Sequence, residues 1–149
     1  MSTGIFGILH SMYEKYISIL SVGAFVFNDN HQLLIVKKSE NEQIDAGVWT
    51  IPGGKIYPEE HILVGLKREV LEEVGLEITS PVWIGEDVFQ NEGAHFHAEH
   101  FRCELKNGEV KLENKLTEYK WISGLNEIAS LPFAENIKKR IVLLFTKAI

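Results

Sequence analysis

The sequence predicts an α+β fold, a mixed β-sheet with one helix available for each face. Three observations carry this expectation. Apolar or alternating runs bounded by turn residues recur along the chain, which suits strands. In the middle, Ile62, Leu66, Val70 and Val74 repeat every four positions with Leu63 beside them, which suits a helix packed on a core. A second amphipathic stretch, from Phe133 through Ile137, Ile141, Leu144 and Phe145, ends the chain.

Taken in order, residues 1–16 show no clear period and are expected to be an N-terminal extension, with residues 17–149 a single domain. Ile17 to Phe27 is an apolar run and reads as a buried strand. Asn28-Asp29-Asn30 is a turn cluster, and Gln32 to Lys38 returns as the second strand of a hairpin. Ser39 to Gly47 is a polar loop. Val48 to Ile51 is a short strand running into Pro52 and a glycine pair, Gly53-Gly54, expected to form a tight turn. Pro58, Glu59 and Glu60 suit the N-terminus of the central helix, and Gly75 suits the left-handed residue just past its end. Ile78 to Phe89 reads as a strand bent near Pro81 or Gly85. Gln90 to Gly93 is a turn, and Ala94 to Leu105 alternates into another strand. Asn107-Gly108 is a hairpin signal that Glu109 to Leu112 would continue. Thr117 to Ile122 is the last strand, and Leu125 to Leu131 a short helical turn.

With 149 residues, 45% of them hydrophobic, the chain is long enough for one core. The formal net charge is -6, and the longest basic run, Lys138-Lys139-Arg140, lies on a predicted helix. That balance argues against duplex nucleic acid as a partner. A single cysteine, Cys103, cannot form an internal disulfide and suits a reducing compartment. In its apolar strand it reads as a core thiol. No apolar run is long enough for a membrane helix. The first residues lack a basic lead, and Glu14 and Lys15 interrupt them, unlike a signal peptide. The expected location is the cytoplasm, and the expected assembly a monomer or homodimer.

The central helix carries the chemistry. At 3.6 residues per turn, Glu69, Glu72 and Glu73 fall within an arc of roughly 100°. Carboxylates so placed repel one another, and a hard divalent cation turns that repulsion into binding. Taken alone, the acidic face reads as a solvated surface with one pair, Arg68 to Glu72.

The whole stretch is more specific. Gly54-x5-Glu60-x7-Arg68-Glu69-Val70-x-Glu72-Glu73-x-Gly75-Leu76 matches the Nudix box at every defined position. Trp49-Thr50-Ile51-Pro52-Gly53 resembles the family's lead-in, and Glu118 to Ile122 its last strand. The resemblance implies the Nudix α/β/α sandwich and a Mg²⁺ cofactor, with Mn²⁺ as a substitute. It implies that Glu72 and Glu73 bind metal and that Glu69 binds metal or acts as general base. Arg68 would orient Glu69, Glu60 would support the metal shell, and the carbonyl of Gly53 would add a ligand. A further glutamate outside the box often completes such sites. Glu113 fits best by its distance to the last strand and Glu118 second, an exposed acid being the plain reading of each. Glu92 and Glu99 are further candidates for a base on a separate loop.

Recognition of the rest of the substrate falls outside the box. Trp49, Phe25, Trp83 and Phe89 could stack on a base, with core packing the default for each. Asn136, in Leu131-Pro132-Phe133-Ala134-Glu135-Asn136, resembles the asparagine that reads a purine in the MutT-like group, although its spacing differs. The proline that marks the ADP-ribose subclass is absent, since Pro81 comes too early and Pro132 is the next. His95 and His97 share one strand face and His100 takes the other. Without cysteine partners the three make a weak zinc site.

The implied function is Mg²⁺-dependent hydrolysis of a phosphoanhydride in a nucleoside diphosphate linked to another moiety. A nucleoside triphosphate is the first expected substrate and a nucleotide sugar the second, each a small-molecule partner. The alternative is a non-catalytic nucleotide-binding sensor or regulator. Loss of a box glutamate would favour it, and none is lost. An isomerase acting on isoprenoid diphosphates would need a reactive cysteine, and Cys103 lies far from the box.

Overall fold

In the computed structural model, which describes residues 4–146, the strands join one seven-stranded sheet. Its axis is β1 (Ile19–Phe27), parallel to β6 (Ala94–Asn107) from Ile19↔Phe96 to Phe27↔Glu104. On its other edge β1 pairs antiparallel with β4 (Gly53–Lys55) and, at Phe27↔Leu33, with β2 (Leu33–Lys38). β2 goes on to pair with β3 (Trp49–Thr50) and β7 (Leu116–Ile122). The long β5 (Glu77–Asn91) lies against β6 at the far edge. One parallel pairing among antiparallel ones makes the sheet mixed, as expected.

The alternation of β1 sorts the core into two layers. Val22, Ala24 and Val26 face α2 (Ile62–Val74), where Leu66, Val70 and Val74 are buried. Phe25 and Phe27 face α3 (Glu135–Thr146), where Ile137, Ile141 and Leu144 are buried. The four-residue repeat of α2 is thus a core stripe, and truncating the fully buried Leu66 to alanine is worth about 2–5 kcal/mol. Leu63, expected beside that stripe, is exposed. Gly75 closes α2 at φ 72°, and its N–H donates to the Leu71 carbonyl, the left-handed cap expected.

Within the expected N-terminal extension, residues 4–13 form a helix, α1 (Gly4–Tyr13), with none of its side chains buried. Other expectations are corrected. Residues 1–3 and 147–149, parts of the expected extension and domain, lie outside the described residues. The glycine pair is not a turn but β4, set edge to edge against β1. Pro58, Glu59 and Glu60 precede α2 rather than opening it, because Glu60 turns back to Arg68 and accepts the Tyr57 N–H, leaving Glu59 at φ 71°. Glu109 to Leu112 do not continue a hairpin. After Gly108 (φ 106°) the chain crosses the C-terminus of α2, where Lys111 and Glu113 N–H groups donate to the Val74 and Glu73 carbonyls, each at 2.9 Å. Helix ends leave carbonyls unpaired, and these two bonds satisfy a pair of them. The bend expected in β5 is present at both places, as register shifts between Thr79 and Val82 and between Trp83 and Gly85.

Candidate active site

The glutamates of α2 share a face but not an environment. Glu72 is half exposed, its side chain 52% accessible, whereas Glu69 is 14% accessible and lies against β4. Gly54 makes that approach possible, because a Cβ there would run into the Glu69 carboxylate. Gly53 is equally constrained, since a Cβ would meet the Val22 carbonyl of β1. Its N–H donates to Glu73 Oε1 at 2.7 Å. The two glycines therefore act through their bareness and one N–H, and they hold Glu69 and Glu73 flush against the sheet.

The crossing segment brings Glu113 to the same place through its backbone bond to Glu73. Burial pushes the Glu73 carboxyl up to about 8; the Gly53 N–H opposes this, while the charges of Glu113 and Glu69 add to it. Burial also raises Glu69, against the hydrogen bond from Arg68 and with the charge of Glu72 adding. Lys115, two residues beyond Glu113, lowers both Glu69 and Glu73. Its part was missed in the sequence, where nothing but nearness to Glu113 marks it.

Arg68 ties this face together. It donates to Glu60 through Nε (2.7 Å) and a terminal nitrogen (2.8 Å), to Glu69 (3.0 Å), to Glu72 (3.1 Å) and to the Lys55 carbonyl (3.1 Å). The Tyr57 ring lies over its guanidinium at 4.3 Å. Held by the Arg68 hydrogen bond, the Glu60 carboxyl falls to about 2, so it stays anionic and anchors the arginine.

Magnesium and manganese ions take oxygen ligands. The chemistry of the residues suits such an ion: the carboxylates of Glu69, Glu73 and Glu113 feel one another's charge, and Glu72 lies on the same helix, held by Arg68. Two of them are raised by burial with like charges nearby, a penalty that a cation removes.

The other candidates scatter. Trp49 is 3% exposed, packed with Phe25 and Ile137 in the α3-side core, so it offers no stacking surface. Core packing wins there because the β3 tryptophan points into the layer between sheet and α3. Glu118 is exposed and pairs with Lys37 of β2 at 3.4 Å rather than with the α2 acids. Glu92 sits at the β5–β6 turn, and Cys103 is a buried core thiol that burial pushes up to about 12. Asn136 donates to Asp87 Oδ2 at 3.2 Å, beside Arg140 (3.3 Å to Asp87) and the buried His100 (2.9 Å to Asp87). Burial opposes the Asp87 charge, yet hydrogen bonds from Asn136 and Arg140 hold its carboxyl below the usual range. Phe89 and Phe96 stack at 5.1 Å along the same hairpin. No spacing in the sequence links Asp87 on β5 to Arg140 on α3, and they meet only because α3 packs on this face of the sheet.

A family model described as NUDIX domain matches residues 18–145. A MutT-like protein of Streptomyces ambofaciens is 28% identical over 70% of this chain and 63% of its own length. Nudix hydrolase 5 of Arabidopsis thaliana is 30% identical over 76% of this chain and 39% of its own. The chain thus spans less than two thirds of these relatives. The nucleoside triphosphatase NudI of Escherichia coli is 28% identical over 60% of this chain and 71% of its own. Among solved structures, a MutT protein from Methanosarcina mazei superposes with a TM-score of 0.74 at 29% identity, covering 87% of this chain and 96% of that one.

Proposed function

The chain belongs to the Nudix domain family, and from that premise we propose that it hydrolyses a phosphoanhydride bond in a nucleoside diphosphate linked to another group. A nucleoside triphosphate is the first substrate class and a nucleotide sugar the second; the likeness to a nucleoside triphosphatase supports that order. Residues 17–149 act as one catalytic domain in the cytoplasm, with residues 1–16 as an extension. The observation that carries this reading is the convergence of Glu69, Glu73 and Glu113 against the bare Gly53-Gly54 strand, with Glu73 pushed up to about 8.

In this reading Glu69, Glu72, Glu73 and Glu113, with the Gly53 carbonyl, hold Mg²⁺, for which Mn²⁺ substitutes. The ion, when bound, masks phosphate charge and makes water a better nucleophile. Glu69 accepts the proton of the attacking water. Arg68 fixes the Glu69 carboxylate, and Glu60 fixes Arg68 from the other side. The Gly53 N–H keeps Glu73 turned toward the site. At the other end Asn136, whose amide N–H₂ is engaged by Asp87, presents its carbonyl to a base stacked on the Phe89–Phe96 pair.

A panel of nucleoside triphosphates, nucleotide sugars and dinucleotides, run with Mg²⁺ and then with EDTA, tests this. Turnover that EDTA abolishes is the expected result. Tight nucleotide binding with no turnover on any member would replace the hydrolase with a nucleotide sensor.

A further inference from the structure

We propose a second divalent-cation site on the β5–β6 hairpin, formed by Glu86, His97 and Glu99 and separate from the glutamates of α2. A ring nitrogen of His97 and a carboxylate oxygen of each glutamate lie within 4.8 Å of one another. One metal ion reaches all three, since its bonds to nitrogen and oxygen run about 2.0–2.2 Å. The proposal does not depend on the hydrolase reading.

Strand register builds the cluster. His97 and Glu99 are two residues apart on β6 and share a face. Glu86 on β5 is the direct cross-strand partner of Glu99, so it shares that face too. Like charges directly opposite each other across a pair of strands are destabilising, and here the pair flanks an imidazole. His97 Nδ1 stands 4.0 Å from Glu86 Oε2, within reach of an ion pair but too long for a hydrogen bond. The geometry leaves room for an ion between them. Trp83, exposed on β5, donates its indole N–H to Glu99 Oε1 at 2.9 Å. Such a bond to a ligating carboxylate fixes its orientation.

Without cysteine partners the three histidines read as a weak zinc site, and His100 faces the other way. It is buried against Asp87. What the spacing could not show is that β5 supplies the missing partners. One imidazole with two carboxylates suits Zn²⁺ or Mn²⁺ better than Mg²⁺, which favours oxygen alone. His97 and Glu86 are nearly half accessible, so an ion here would be reached from solvent and would keep open positions for water or another oxygen ligand.

The site also has a defined place relative to α2. Glu99 lies beside Val22 in the parallel pairing, and Val22 lies beside Gly54. Val22 packs on the α2 side of the sheet, so the hairpin cluster opens on that same side. Two strand spacings, about 10 Å, separate the backbone of Glu99 from that of Gly54.

The test uses the full chain, with Zn²⁺ as the probe, in a Glu73→Gln background that weakens the α2 site. Titration followed by ¹⁵N spectra of the histidine rings should shift the His97 ring nitrogens and leave those of His31 and His61 unmoved. Calorimetry should then show Zn²⁺ affinity falling by at least about tenfold in Glu86→Gln and in His97→Asn, since even loss of a ligand's hydrogen-bond partner costs about 10–100-fold. The ring spectra need no substitution in the hairpin, so they stand even if a hairpin variant fails to fold. Unmoved His97 rings at Zn²⁺ excess would overturn the site. So would an affinity that Glu86→Gln leaves unchanged, which would mean a lone histidine binding metal.

Discussion

Glu73 and Asp87 are acids on opposite faces of one sheet, each partly withdrawn from water, and their charges meet opposite fates. On the α3 face, Asp87 receives Asn136, Arg140 and His100, and its carboxyl is held below the usual range. On the α2 face, Glu73 receives one backbone N–H and the company of Glu113 and Glu69, and burial drives it up to about 8. A buried carboxylate that brings its own cations is a structural element. One that gathers further acids is unfinished until a cation arrives. The difference between ligand site and scaffold therefore lies in partner lists, not in burial.

The sharpest way to break this contrast is at Glu69. Its replacement by glutamine should lower kcat by about 10²–10⁴-fold with KM little changed, because a general base acts mainly in the transition state. Steady-state kinetics on the best substrate of the panel reads this. A near-normal kcat would move the base to Glu113 or to Glu92.

Next comes the pH and metal response of Glu73. Its folded value stands above the ordinary 4.5, so the neutral carboxyl stabilises the metal-free fold fully below about 4.5. That contribution is lost as pH rises through about 8. The melting temperature of the EDTA-treated protein should fall across this window, and the increment given by Mg²⁺ should grow across it. Glu73→Gln should flatten both trends. Parallel curves for wild type and variant would remove Glu73 from the metal site.

The α3 face should answer differently. Arg140→Ala strips the Ile84 and Glu86 carbonyls of a donor and leaves Asp87 with less countercharge. A cost of about 1–3 kcal/mol in denaturant unfolding is expected, with the Mg²⁺ increment intact. Smallest is Glu118→Gln, whose exposed pair with Lys37 contributes at most about 1 kcal/mol. Both stability and kcat should stay near wild type, and a large loss of kcat would exchange the roles given to Glu113 and Glu118.

The α2 face was legible in the sequence because its order is local. The four-residue stripe, the acids spaced along one helix and the Gly75 cap all lie within a few turns of each other. Pro58 and two acids look like a helix start, which by local preference puts Glu60 in the helix. Its bond to Arg68 outweighed that local preference and left it in the loop. The α3 face was not legible. Asp87 and His100 meet through the β5–β6 register, Arg140 reaches them from α3, and three shifts in that register change its phase along the strand. For Trp49 the default of core packing holds over base stacking, because an aromatic beside the box suits both and only burial separates the two.

The segment that crosses the end of α2 has a consequence for how the molecule comes together. β4, α2 and the β1 edge they pack on come from one contiguous stretch of chain, whereas Glu113 arrives after β5 and β6 have been laid down. Pairing of β1 with β6 closes a long loop, a slow step in chains of this topology. The last acid is thus supplied from the far side of that loop closure. An ion bound by the folded chain alone would join Glu113 to the α2 acids across that closure, and so stabilise the fold by linkage.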